Sequence, residues 1–278
     1  MALHKLMPLK KRFHKDPGLF SNYLQVIDDH LYKAYTKKVP ESLLDRSDGW
    51  VWYLPHHAVL YPDKPDKTRV VFDCAAKFRE VSLNDKLLQR SDFINTLVSV
   101  MARFGKESVP LISDIESMFH QVEVALDHCD ALRLLWWPGN DMEREPQVCR
   151  LKVFPFGTVC SPVCAGYALR RTAQDNEGLF PLEVIETVNK NFYVDYCLKS
   201  VTDEVSRVSL VPKLGELLSS GGFHLTQWVS NSSSVLATVP ESEREVWKGS
   251  SVRCHAFSTG PRRQVESRVR HIWFQSEG

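Results

Sequence analysis

Nowhere does this chain of 278 residues approach the ~20 consecutive apolar residues that a bilayer-spanning helix needs. Its first residues, MALHKLMPLKKRF, lack the uninterrupted apolar core of a secretory leader. Seven cysteines, an odd number, include no CxxC pair. Cys160 and Cys164 lie four apart, but no neighbouring His or Cys completes a zinc set, so packed free thiols in a reducing compartment are expected. There is no internal repeat. Charge of one sign is also missing: the formal net charge is +1, which announces no polyanionic partner for the whole molecule. These absences predict a soluble intracellular protein, cytoplasmic or nuclear, with no membrane partner.

A 43% hydrophobic content is enough for a sizeable core, in one large domain or two small ones. Residues 1–40 are locally basic. Lys5, Lys10, Lys11, Arg12, Lys15, Lys33, Lys37 and Lys38 stand against Asp16, Asp28 and Asp29. That excess either favours a nearby polyanion or is a solvated helix face.

Residues 1–48 read as helical, with Leu19, Tyr23, Val26, Ile27 and His30 at helical spacing after the break at Asp16-Pro17-Gly18. Two β-rich runs, 50–61 and 67–75, flank PDKPD and predict a hairpin. Ile94, Leu97, Val98 and Met101 predict one face of a helix over 92–104, and VPLIS predicts a short buried strand over 109–113. The runs 131–137 and 147–154, around Pro138-Gly139-Asn140-Asp141, predict a second hairpin. Ser161-Pro162 opens a helix to about 176, because serine caps and proline loses nothing at the first helical position. A strand over 192–194 runs back as 197–201. A helix then carries Val205, Val208, Val211, Leu214 and Leu218 to its stop at Gly221-Gly222, with Pro212 expected to kink or split it. The class is α+β. Beyond about 243 no period persists, and a poorly ordered tail is expected over 243–278.

Two carboxylates carry the chemistry. Asp114 ends the apolar run LIS, and Asp195 lies in the turn of FYVDY, so each would emerge at a sheet edge. Either could be an ordinary strand-end aspartate. Together they suit a pair of magnesium ions, which prefer carboxylate and phosphate oxygens. Nucleotidyl transfer uses two such ions ~3.5–4 Å apart.

DIESMFHQV, then FPFGTVCSP, then FYVDY resemble motifs A, B and C of a reverse transcriptase. The surrounding text (YLPHHAVLYPDKPDKTRVVFDCAAKF, SLNDKLLQ, LRLLWWP, NFYVDYCLKSV, GGFHLTQWVSNS) is similar to the BEL/Pao class of LTR retrotransposon polyproteins over about 50–240, and more loosely over 1–49. The resemblance implies right-hand polymerase fingers and palm, the palm being a ferredoxin-like antiparallel sheet with helices on one face. It divides the chain into an N-terminal helical segment (1–49), a fingers-like region (50–108), a palm with motifs A to D (109–242) and the tail. It implies an RNA-directed DNA polymerase, with Asp114 and Asp195 holding two Mg²⁺. The partners implied are dNTP and an RNA or DNA template with primer. Phe119 would lie under the incoming sugar and reject a 2′-hydroxyl unless it is an ordinary core phenylalanine. Phe156 and Gly157 would pack against the nucleotide, and Lys67 and Arg69 would grip the triphosphate unless they merely line a solvated hairpin.

This chain departs from that pattern in places. Tyr196 stands where the family has a second aspartate, and a phenol neutral at pH 7 cannot replace a carboxylate on a dication. Losses on the order of 100-fold or more would follow. Gln227 stands where a lysine is expected to neutralise pyrophosphate. The text ends without a recognisable thumb, ribonuclease H, protease or integrase region, as a decayed or truncated element copy would. Three behaviours follow: an impaired polymerase, a catalytically dead nucleic-acid-binding remnant, or an interaction module that binds neither template nor nucleotide.

Overall fold

The computed structural model of the chain describes residues 1–61, 64–88, 93–202 and 204–245; the side chains of 61–67 and 204–208 lie outside the description. In chain order the main elements are α1 (Ala2–Lys15), α2 (Pro17–Tyr32), β1 (Thr36–Lys38), β2 (His56–Tyr61), β3 (Lys64–Phe72), α3 (Leu97–Phe104), β4 (Val109–Ile115), β5 (Arg133–Trp136) and β6 (Gln147–Leu151). They continue with α4 (Ser161–Asp175), α5 (Leu182–Lys190), β7 (Phe192–Tyr193), β8 (Tyr196–Val201), α6 (Glu204–Ser220), β9 (Leu225–Ser230) and α7 (Ser233–Leu236). Two compact units result, Met1–Arg90 with Phe119–Pro162, and Ser91–Met118 with the rest from Val163. The division cuts across the 109–242 segment.

In the first unit, β2 and β3 form the expected antiparallel hairpin, and β5 and β6 form the second. Residues 1–48 are α-helical only as far as Tyr32, with one further 3₁₀ turn at Glu41–Leu43. Ala34 then turns at φ +56, and β1 pairs with β6, Thr36 opposite Leu151. The ladder supplies partners that a helix end would leave unmet, so tertiary pairing overrides local propensity. Asp16 is a cap rather than a mere break: its side chain accepts from Leu19 N at 2.9 Å and starts α2. The core gathers Phe13, Tyr23, Leu54, Phe72, Leu134, Trp136, Trp137 and Leu151. Tyr23 stacks on Trp136 with ring centroids 5.6 Å apart.

A buried ion cluster fastens this unit. Asp130 and Arg133 are both fully buried, with Arg133 Nε donating to Asp130 Oδ1 at 3.0 Å. Arg46 reaches Asp130 at 2.9 Å and Arg150 at 3.2 Å. The remaining guanidinium N–H groups of Arg133 donate to the carbonyls of Leu43 and Leu44 and to the Tyr53 hydroxyl. Burial alone would raise the Asp130 carboxyl, but hydrogen bonds from Arg133 and Arg46 outweigh it and hold it below the usual range.

His56 is buried between Tyr23 and β5. The Tyr23 hydroxyl lies 2.6 Å from its Nδ1, and Nε2 lies 3.0 Å from Leu135 O. With Nε2–H donating to that carbonyl, Nδ1 accepts from the phenol and the ring is neutral. Burial depresses its pKa to about 4. The unfolded chain takes up this proton below about 6.5, so the stabilisation is complete above that pH and is lost as pH falls through about 4. Urea unfolding should therefore show this unit about 2 kcal/mol less stable at about pH 5 than at about pH 7. A flat profile would mean that His56 is hydrated.

The second unit is a four-stranded antiparallel sheet of order β7-β8-β4-β9. In succession β4, α4 and α5, the β7–β8 hairpin, α6 and β9 follow the β-α-β-β-α-β plan of a ferredoxin-like unit. Helix α3 begins at Thr96, whose side chain caps Ser99 N, and so is shorter than expected; Asp92 lies outside the described residues. Its buried face is Val100, Met101 and Phe104, whereas Val98, expected inside, is 69% exposed. Helix α6 is unbroken at Pro212, which lies on its exposed side, where water can satisfy the carbonyl that proline leaves.

Among the described residues no helix is long and apolar enough to cross a membrane. The six described cysteines are free thiols; Cys254 lies outside the description, as does the tail beyond 245. Burial pushes Cys74 and Cys197 up to about 12 and Cys149 to about 11, so these three stay protonated.

Candidate functional site

Strand β4 is hydrogen-bonded on both sides, to β8 and β9, and Asp114 stands near its C-terminal end. Its register partners are Tyr196 and Thr226. Tyr193 pairs with Tyr196, so Val194 and Asp195 are the two central residues of a tight hairpin turn. Asp195 O accepts from Ile115 N at 2.9 Å, which draws the turn against the residue after Asp114. Asp114 is half-buried and Asp195 is 6% exposed. Two acids 81 positions apart in sequence thus lie on adjoining strand ends of one sheet. Among the described residues no group of three or more His, Cys, Asp or Glu is arranged to hold a metal ion. A pair of carboxylates still fits magnesium, which commonly takes one or two from the protein and the rest from water and substrate phosphate.

The turn is strained. Val194 has φ +55, in the left-handed region that a β-branched residue almost never occupies. Such backbone costs roughly 1–2 kcal/mol and persists where the surroundings over-determine it. Val194→Gly should raise the unfolding midpoint of this unit, stabilising it by about 0.5–1 kcal/mol after glycine's own entropic cost. A lower midpoint would show that the valine side chain contributes more packing than its backbone loses.

Tyr196 is 6% exposed and belongs to a cluster with Val100, Met101, Phe104 and Leu198. Opposed residues of an antiparallel ladder share a face, so Tyr196 and Asp114 stand on the side of the sheet that α3 covers, with Ile112 and Leu198. The residue that replaces a carboxylate in the motif is therefore a core side chain here.

Lys67, Arg69, Phe119, Phe156 and Gly157 belong to the first unit, and four of them come together. Phe119 is buried and meets Phe156 with centroids 4.8 Å apart. The Arg69 guanidinium lies 4.4 Å from the centre of the Phe156 ring, a cation–π contact. Gly157 follows at φ +108, and a Cβ on it would meet Phe72 O at 3.0 Å, so only glycine fits. Lys67 lies on β3, but its side chain is outside the described residues. Gln227 is exposed at φ +54 in β9, at the register shift between Ile112 and Asp114.

Sequence reasoning assigned no role to Asn84 or His120. The Asn84 side chain donates to Gly157 O at 2.9 Å and accepts from Val159 N at 3.1 Å, while its backbone N donates to Cys74 O at 3.1 Å. It ties the loop after β3 to the loop that carries Phe156. The SLND block contained this residue, but an amide clamp between distant backbones leaves no local periodicity. His120 packs edge-on to Phe156 at 5.3 Å and to His30 at 5.0 Å, and burial depresses its pKa to about 3.

No protein-family model matches the chain, and no curated protein matches it. Solved structures do. A foamy viral protease–reverse transcriptase, in a form called dRH and in complex with double-stranded DNA, aligns at TM-score 0.54 and 17% identity over 74% of this chain and 30% of its own. The fold is reverse-transcriptase-like. A mutant of the prototype foamy virus protease–reverse transcriptase gives TM-score 0.53 and 18% identity, covering 76% of this chain and 24% of that one. A further foamy viral complex with double-stranded DNA gives 0.51 and 17%, over 74% and 36%. The chain spans about a quarter to a third of the length of these structures.

Proposed function

We propose that this chain is the fingers and palm of a retrotransposon reverse transcriptase of BEL/Pao type, a nucleotidyltransferase that extends a primer on an RNA or DNA template. The observation that carries the reading is the placement of Asp114 and Asp195 on adjoining ends of β4 and the β7–β8 turn, in a fold shared with reverse transcriptases. Two of the foamy viral structures hold double-stranded DNA, which supports a template–primer duplex as the partner.

Asp114 and Asp195 would present carboxylate oxygens to two Mg²⁺. When bound, these ions supply charge neutralisation on the triphosphate and acidify the primer 3′-hydroxyl. That hydroxyl attacks the α-phosphate of the dNTP in line and pyrophosphate leaves. Phe119, buried, and Phe156, half-buried, offer aromatic surface with Gly157 allowing close backbone approach, and Arg69 with Lys67 offers cationic groups to phosphate. Tyr196, a neutral phenol, withholds the further negative charge that the site would use, so turnover is impaired.

Primer extension on an RNA template tests the reading. The unaltered chain should incorporate dNTP slowly and only with Mg²⁺, and Asp114→Asn and Asp195→Asn should each fall to background while remaining folded. Incorporation that survives Asp195→Asn, or a folded chain that neither extends a primer nor binds dNTP with Mg²⁺, would sink it.

A further inference from the structure

The solvent side of α1 is more basic than its packing requires. Ala2, Leu6, Leu9 and Phe13 are its buried residues and lie on one side of the helix. On the opposite side Lys5, Lys11, Arg12 and Lys15, all exposed, fall with His4 inside an arc of roughly 120°. The helix contains no acidic residue. Its other lysine is matched within the unit: Lys10 lies 3.3 Å from Glu143 Oε1, with His14 Nε2 3.6 Å from the same oxygen. Among the described residues no ion pair includes Lys5, Lys11, Arg12 or Lys15. Lys11 and Lys15 are i, i+4 like charges and Lys5 sits near the positive end of the helix dipole, whereas Arg12 and Lys15 in the last turn complement its negative end.

We propose that this face of α1 docks on the phosphate backbone of a nucleic-acid duplex, an assignment that rests on the polymerase reading and adds a binding surface to it. Along the helix Lys5 and Lys15 are about 15 Å apart, the axial length of about four phosphates on one strand. An anionic membrane is the poorer partner. Helices that lie in a bilayer surface submerge an apolar face, and here Leu6, Leu9 and Phe13 are already committed to the protein core. The exposed Leu3 and Met7 lie outside the cationic arc.

The test is the salt dependence of binding by the full chain to a fluorescently labelled RNA–DNA template–primer, set against a variant combining Lys5→Ala, Lys11→Ala, Arg12→Ala and Lys15→Ala. A control removes four exposed cations elsewhere, through Lys77→Ala, Lys86→Ala, Lys106→Ala and Lys213→Ala. Each phosphate contact contributes about 0.9 to the slope of log K against log salt, so the α1 variant should lose about 2.7–3.6 of slope and the control little. All four α1 residues are exposed, so circular dichroism should show both variants folded. An unchanged slope in the α1 variant, or an equal loss in the control, overturns the role of α1 while leaving the polymerase reading standing. No duplex binding by the unaltered chain at any salt, with or without binding to phosphatidylserine vesicles, overturns both.

Discussion

Tyr196→Asp should cost the second unit about 3–5 kcal/mol of stability in the absence of magnesium, before any gain in catalysis is read. That is the range for deleting a large aromatic from a packed core. The ring of Tyr196 packs among Val100, Met101, Phe104 and Leu198, and the shorter side chain would leave that volume empty and set a carboxylate beside it. Tyr196→Phe keeps the volume and should stay within about 1.5 kcal/mol. Added Mg²⁺ should return part of the loss to the aspartate variant alone, up to about 2.7 kcal/mol at a hundredfold excess over its dissociation constant. Urea unfolding of the three proteins with and without Mg²⁺ checks both halves. An aspartate variant as stable as the parent without metal would show that Tyr196 is not a core residue. The same numbers bear on restoring activity: a compensating change in α3, where Met101 and Phe104 meet the ring, would be needed alongside the carboxylate.

The second large effect concerns the other unit. Asp130→Asn should destabilise it by about 3–5 kcal/mol, because Arg133 would remain wholly buried without its counter-charge. Arg46 and Arg150 converge on the same carboxylate and would be left facing one another. Arg46→Ala should cost only about 1 kcal/mol, since that side chain is partly exposed and also serves Asp48. Chemical denaturation at neutral pH distinguishes the two. Equal effects would mean that the cluster is hydrated and that Arg133 is held by the Leu43 and Leu44 carbonyls alone.

Much of this architecture could be read from local signals. Both hairpins announce themselves through apolar runs around Pro-rich or Pro-Gly turns, and Ser161-Pro162 marks the start of α4 because cap chemistry is local. Asp114 is legible as the polar end of an apolar run. What stayed hidden was set at a distance. Helix α5 is short, with Val184, Ile185 and Val188 as its buried stripe, and no strong cap precedes it. Strand β1 is strand only because β6 lies beside it. The burial of Tyr196 depends on α3, some ninety residues earlier, whose buried residues Val100, Met101 and Phe104 share its cluster. Arg69 over Phe156 and Asn84 against Gly157 are meetings of loops that no spacing rule connects. Strand β9 escaped because its alternation is broken within it.

That break has a consequence for how the chain can change. Gln227 and Trp228 together oppose the single residue Ser113, so Thr226 and Val229, three apart, are the partners of Asp114 and Ile112. Excising one of the two would remove the bulge and restore strict two-residue alternation, with Thr226 still opposite Asp114 and Val229 still opposite Ile112. A one-codon deletion is thus accommodated at the bulge but elsewhere in β9 would turn every following side chain to the other face, and point substitutions at the exposed Gln227 are open, glycine and asparagine most readily.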